Sequence, residues 1–294
     1  MIKNLAHFLQ WAEKLFIANK LYFGHGTANP WDESVFIASY VLKINLYTET
    51  LVNKLLTDSE IKKLKKIALL RAKTKKPLAY IIKTAWFAGR SYYVNSNVII
   101  PRSPIAELIN NKFKPWLKKT PNKILDLCTG SGCIAIACFH EFIKDNSKIK
   151  IDAVDICSKA LKVAAKNLKL HDISSKTINL IKSDLFNNIN NKYNLIISNP
   201  PYVDQKDFNN LPQEFYFEPK KALLSGDTGF ELVSKILYQA KKFLLPDGIL
   251  IVEVGVNWRK LVKLYPKVKF TWLKFKNGGK GIFLLTKQQL DLLY

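Results

Sequence analysis

Leu195-Ile196-Ile197-Ser198-Asn199-Pro200-Pro201-Tyr202 is the stretch on which the reading of this 294-residue chain turns. Its short apolar run with β-branched isoleucines reads as a buried strand of a parallel sheet. The strand has to stop at Asn199, because two prolines lack the backbone donors that a ladder needs. An amide, two bare carbonyls and an aromatic ring therefore arrive together at the strand's carboxyl end, where open α/β sheets bind their ligands.

Outward from this strand the pattern alternates. Ile124–Leu127, Ile149–Val154, Thr177–Ile181 and Gly248–Val254 read as further strands. Between them, helices are expected over Cys133–Phe142, Ser158–Leu170 with Ser158 as cap, Thr228–Leu245 and Trp258–Leu264. Val268–Leu273 and Gly281–Leu285 read as a closing hairpin around Asn277-Gly278-Gly279. Alternating β and α units argue a doubly wound α/β sheet. Upstream, apolar residues at helical spacing predict helices over residues 2–19, after Asp32 as cap, and from about Asp58 to Arg71. Thr84–Ala88 and Ser91–Ile99 read as a β-hairpin, and Ser103 with Pro104 as the start of a helix to about Leu117. The expected organisation is a helical domain at 1–83, a hairpin linker at 84–100 and the α/β domain at 101–294.

The chemistry that suits Asn199 to Tyr202 is transfer to a planar nitrogen. An NH2 conjugated to a carbonyl or an aromatic ring is a poor nucleophile because its lone pair is delocalised. The Asn199 side-chain oxygen and the Pro200 carbonyl can each accept one N–H and so aim that lone pair, while Tyr202 offers a flat face and favours a nearby cation. Asp126-Leu127-Cys128-Thr129-Gly130-Ser131-Gly132 is a strand followed by a glycine turn. Asp155, 29 residues after Asp126, ends the next strand, where a carboxylate accepts ribose hydroxyls. That suits NAD as well as S-adenosylmethionine, but the loop is not the G-x-G-x-x-G that cradles a pyrophosphate, which argues for a cofactor without phosphates. Asp184 follows the third strand, placed for an adenine amine, with Leu185 and Phe186 as apolar walls.

The series Asp126, Gly130-x-Gly132, Asp155, Asp184 and Asn199-Pro200-Pro201-Tyr202 resembles the S-adenosylmethionine-dependent methyltransferases that modify amino groups. A helical domain, a hairpin and Ile100-Pro101-Arg102 ahead of the fold resemble the HemK family of protein-glutamine methyltransferases. Tyr22-Phe23-Gly24-His25-Gly26-Thr27, Ala85-Trp86-Phe87-Ala88-Gly89, Pro101-Arg102-Ser103-Pro104 and Leu127-Cys128-Thr129-Gly130 are similar to its PrmB branch. That branch methylates a glutamine of the third large-subunit ribosomal protein. The resemblance implies a class I, Rossmann-like fold, with a seven-stranded, mostly parallel sheet and a C-terminal antiparallel hairpin. It implies that Cys128, Thr129, Gly130, Ser131, Gly132, Asp155, Asp184 and Leu185, with Asp126 and Asn199, hold S-adenosylmethionine. It implies also that Asn199, Pro200, Pro201 and Tyr202 hold the glutamine, with Asn199, Pro200 and Tyr202 at the chemistry. The release-factor-modifying branch has glycine at the position of Cys128, which speaks against release factors as substrate. The amino group of a nucleic-acid base is the other alternative. His25, between Gly24 and Gly26, reads as part of a structural turn or a substrate contact.

Composition narrows the partners. The net charge is +23, yet only Arg71, Arg90, Arg102 and Arg259 are arginine among 46 basic residues. Phosphate-reading sites draw on arginine's planar fork, so no direct sequence-specific nucleic-acid binding is expected. The charge still suits docking on a ribosomal protein or a ribosome assembly intermediate. Cys128, Cys133, Cys138 and Cys157 contain no C-x-x-C, and the four histidines are scattered, so no metal and a reducing cytoplasmic setting are expected. No signal peptide and no run of about 20 apolar residues stands out, so no membrane partner is expected.

Overall fold

The computed structural model describes residues 2–44, 53–276 and 278–292. Two compact units divide the chain: residues 1–85 with 212–217, and residues 86–211 with 218–294.

The first unit is helical: α1 (Leu5–Ala18), α2 (Pro30–Leu42), α3 (Asp58–Thr74) and α4 (Leu78–Ile82). Phe8, Leu9, Ala12 and Phe16 of α1 bury against Ile37, Ala38, Leu64 and Ala68. The cap of α2 is Asn29, whose side chain accepts the Asp32 N–H, rather than Asp32 as expected. Pro30 occupies the first helical position, where a missing N–H costs nothing, and so pushes the cap one residue ahead of it. Thr57 and Glu60 close a capping box on α3, which runs to Thr74. The interior of this unit holds a charged cluster. The Arg71 guanidinium, 1% exposed, donates to Glu33 at 2.5 Å, to the Tyr22 carbonyl at 2.9 Å and to Glu214 at 3.4 Å. Glu214 also accepts the Tyr22 N–H, and Glu33 the Thr27 hydroxyl. His25 is buried with its ring 4.4 Å from that of Phe215, as suits a structural turn.

The chain leaves the helices through the hairpin β1 (Thr84–Phe87) and β2 (Arg90–Tyr93). Ala88 and Gly89 both have positive φ, the geometry that matches the twist of a two-residue hairpin turn. The turn thus lies one residue earlier than expected, and β2 stops six residues short of Ile99. Asn95 ends it by accepting the N–H groups of Asn97, on its side chain, and Val98, on its carbonyl.

The second unit continues with α5 (Ile105–Asn110), β3 (Lys123–Leu127), α6 (Cys133–Phe142), β4 (Lys150–Asp155), α7 (Ser158–Leu170), β5 (Ile178–Lys182) and β6 (Tyr193–Ser198). It closes with α8 (Gln205–Asn209), α9 (Glu231–Phe243), β7 (Leu244–Glu253), α10 (Trp258–Leu264), β8 (Thr271–Trp272), β9 (Ile282–Thr286) and α11 (Lys287–Asp291). The seven-stranded sheet runs β5-β4-β3-β6-β7-β9-β8, parallel except where β9 pairs antiparallel with β7 and β8. Alternate strand residues face two separate cores. Ile124, Leu195, Ile197, Ile249 and Ile251 pack with α5, α6 and α7, and Leu125, Leu127, Ile196, Leu250 and Val252 with α9, α10 and α11. Burial on both faces is why these strands read as continuous apolar runs.

Several boundaries differ from expectation. The helix starting near Ser103 ends at Asn110, not Leu117, because Lys112 and Phe113 take left-handed backbone angles. Ser158 does not cap α7; Cys157 precedes it, and its N–H is taken by Asp155 at 2.8 Å. Helix α9 begins three residues after Thr228, since Glu231 folds back to accept the Thr228 N–H and hydroxyl. The first strand of the closing hairpin shrinks to Thr271–Trp272, and Asn277 at its turn lies outside the described residues. No described helix is long and apolar enough to cross a membrane.

Candidate active site

The strand order places β3 beside both β4 and β6, so the connections leave in opposite directions at the β3/β6 pair. At such a switch point the loops splay apart and leave a crevice at the strand ends. A cavity of about 290 Å³ sits there, and Cys128, Gly130, Asp155, Asp184, Leu185 and Asn199 all line it. Pro201 lines it too, and Val154, Ala160 and Leu232 add apolar wall. A hollow of about 390 Å³ at the amino ends of the strands, around Trp116 and Asp247, gathers no comparable chemistry.

Not every residue expected at the cofactor lines this cavity. Asp126 is fully buried beneath the loop, where its Oδ2 accepts the Thr129 hydroxyl at 2.6 Å and the Ala135 N–H at 3.2 Å. Its Oδ1 has no hydrogen-bond partner among the described residues. Asp126 and Thr129 thus shape the loop from behind, and Ser131 and Gly132 complete its turn into α6. Cys128 holds φ of 60°, a left-handed conformation that costs a side chain roughly 1–2 kcal/mol and glycine almost nothing. Asp155 receives the Gly130 N–H on one oxygen at 2.9 Å and the Cys157 N–H on the other, which leaves one lone pair of each oxygen for a ligand.

Burial pushes the Asp126 carboxyl up to about 7, against hydrogen bonds that favour its ionised form. Between the unfolded value near 4 and about 7 the folded state holds a proton that the unfolded state has lost. Stability therefore falls as pH rises through that window and levels off above it. Asp126→Asn is expected to flatten this part of the pH dependence, read by urea unfolding from pH 4.5 to 8.

The Asn199 segment is held from three sides. Ser198 donates to the Leu127 carbonyl at 3.0 Å, locking β6 to β3 at its last residue. Val203 bonds both ways with the segment beyond, its N–H to Leu223 and its carbonyl from Ser225. Tyr202 donates its hydroxyl to Glu253 at 3.0 Å, and Ser103 donates to the other oxygen of Glu253 at 2.5 Å. Burial raises the Tyr202 phenol above its usual range, so it stays a neutral donor. Its ring lies so close to Gly255 that an added Cβ would come within 2.6 Å, and Gly255 has φ of +57° besides. Pro200 is buried, and neither it nor Tyr202 lines the cavity. Asn199 itself lines the cavity, and its carboxamide makes no hydrogen bond among the described residues.

Three features of the site escaped the sequence reading. Glu253, a carboxylate closing the apolar run Ile249–Val252, collects Ser103 and Tyr202. Glu218, buried, accepts two bonds from Arg102 at 2.6 and 2.9 Å and the Ile100 N–H at 2.9 Å. Asn97, Val98 and Ile99 form one wall of the cavity. A signal for the second existed in the rarity of arginine. Two of the four, Arg71 and Arg102, pair with buried carboxylates, where the planar fork outperforms lysine.

Residues 108–228 match the family described as Methyltransferase small domain. A protein of Francisella tularensis named ribosomal protein uL3 glutamine methyltransferase is 43% identical, over 98% of this chain and 92% of its own length. One of the same name from Neisseria gonorrhoeae is 39% identical, over 96% of this chain and 94% of its own. The chain belongs to this family. Among solved structures, the catalytic domain of hMettl16 in complex with the MAT2A 3'UTR hairpin 6 shares the fold, with a TM-score of 0.53 at 16% identity, over 86% of this chain and 92% of that one. In this methyltransferase the parallel sheet with its antiparallel closing strands is the class I fold expected from the sequence.

Proposed function

We propose that this methyltransferase transfers a methyl group from S-adenosylmethionine to the side-chain amide nitrogen of a glutamine in ribosomal protein uL3. The observation that carries the reading is Asn199, whose carboxamide has no hydrogen-bond partner among the described residues and which lines the same cavity as Asp155 and Asp184. The residues present fit the cofactor. Two carboxylates and the apolar surfaces of Val154, Leu185 and Leu232 suit a ribose and an adenine, and Asp155 would hold the ribose hydroxyls. Bound there, S-adenosylmethionine supplies an electrophilic methyl group on a sulfonium.

The chain's own part is positioning. The Asn199 oxygen accepts one N–H of the substrate amide and the Pro200 carbonyl the other, which fixes the plane of the nitrogen and frees its lone pair to point at the methyl group. Tyr202, its hydroxyl tied to Glu253, presents its ring to the planar amide. Alignment and exclusion of water supply most of the rate. No strong base is needed, because an alkylated amide nitrogen is acidic enough to lose its proton to solvent. The first unit recognises the ribosomal protein, alone or in an assembly intermediate, which places the reaction in the cytoplasm.

The test is transfer of radiolabel from S-adenosylmethionine to ribosomal material from cells lacking the enzyme, followed by nuclease or protease digestion. Label that survives nuclease and maps to one glutamine of uL3 is the expected result. Label in RNA would move the enzyme to base methylation, and label in release factors to the neighbouring branch.

A further inference from the structure

Helix α7 carries an asparagine at a position where asparagine gives up helix propensity. Asn167 is fully buried and three of its four hydrogen-bonding positions are used. Its Oδ1 accepts the Tyr93 N–H at 2.7 Å, and its Nδ2 donates to the Tyr93 carbonyl at 3.0 Å and to the Ser131 carbonyl at 2.8 Å. The first pair mimics a ladder partner for the outer edge of β2. The third bond reaches the glycine loop at Ser131, the residue next to Gly130. Helix α7 also approaches that loop so closely that a Cβ on Gly132 would lie 3.2 Å from the Ala164 Cβ.

We propose that Asn167 is a positioning residue for the cofactor cavity, setting the glycine loop and strand β2 in one register. Tyr93 is four residues ahead of the Asn97–Ile99 wall, and Glu218 holds the far end of that segment at Ile100. One carboxamide thus sets the spacing between two walls of the cavity. The helix touches β2 elsewhere without reaching the loop. Lys166 lies 3.4 Å over the Tyr93 ring, and His171 is 3.0 Å from the Ser91 carbonyl. These contacts separate a clamp on the hairpin from a control on the cavity.

The inference rests on the proposed cofactor, and its test is calorimetric titration of the full chain with S-adenosylhomocysteine. Asn167→Asp keeps the acceptor toward Tyr93 but turns an oxygen against the two carbonyls. It is expected to weaken binding at least about tenfold and to raise the cofactor KM in step, with kcat at saturating cofactor within about threefold of wild type. Lys166→Ala is expected to stay within about twofold in binding, since it loosens the hairpin alone. Should the aspartate variant fail to fold, Asn167→Ser carries the same expectation. Unchanged binding in the Asn167 variants, or an equal loss in Lys166→Ala, overturns the inference. Failure of the wild-type chain to bind S-adenosylhomocysteine overturns the cofactor reading beneath it.

Discussion

Asn199→Ala is expected to lower kcat by about 10²–10³-fold, the loss typical of removing one group that holds the reacting atoms, or about 3–4 kcal/mol. Cofactor affinity should change by less than about threefold, because Gly130, Asp155, Asp184 and Leu185 remain in place. The fold should be undisturbed. Strand β6 is pinned at Ser198 by its bond to Leu127 and beyond Tyr202 by Val203, and the Asn199 side chain takes part in neither. Single-turnover rates at saturating cofactor, beside a titration with S-adenosylhomocysteine, separate the two quantities. Turnover near the wild-type rate would remove Asn199 from the chemistry and with it the positioning mechanism.

The largest expected loss of stability is at Arg71. Its guanidinium lies between Glu33 and Glu214 with side-chain exposures of 1%, 5% and 3%. Arg71→Met keeps most of the volume but leaves two carboxylates facing each other out of water, which costs about 3–5 kcal/mol. The loss should fall on the first unit. Chemical unfolding followed by hydrogen exchange is expected to show the protons of α2 and α3 exchanging early, while those of β3, β4 and β6 keep their protection. Adding Glu33→Gln and Glu214→Gln to Arg71→Met should restore part of the stability, since the penalty comes from uncompensated charge. A triple variant no more stable than Arg71→Met would show that the lost packing of the arginine stem dominates instead.

Much of the second unit was legible in the chain because its information is local. Apolar runs ended by glycines, prolines and carboxylates placed β3, β4, β5, β6 and β7 within a few residues, and the spacing of apolar residues placed α6, α7 and α10. The boundaries that moved did so where a longer-range partner took over a residue. Ser103 is drawn to Glu253, 150 residues away, and the expected helix beyond it breaks where Lys112 and Phe113 turn left-handed. Asp155, aimed at a ligand on the sequence reading, also serves Gly130 and Cys157 and so helps build the loop it faces.

What the sequence alone determined was the order of the strands and of the longer helices, the strand that must stop at Asn199, and the carboxylates at the strand ends; the short helices α4, α8 and α11 were not among them. Those follow from hydrophobic period and from the backbone limits of proline and glycine, which act within a few residues. Only the tertiary structure decided that Asp126 supports the loop from behind, that the hairpin's trailing segment walls the cavity, and that residues 212–217 belong with the helices. Glu218 found Arg102 and Asn167 found Tyr93 and Ser131 in the same way. A buried polar group is satisfied by whatever partner the packing brings within about 3 Å, and sequence distance carries no information about that partner.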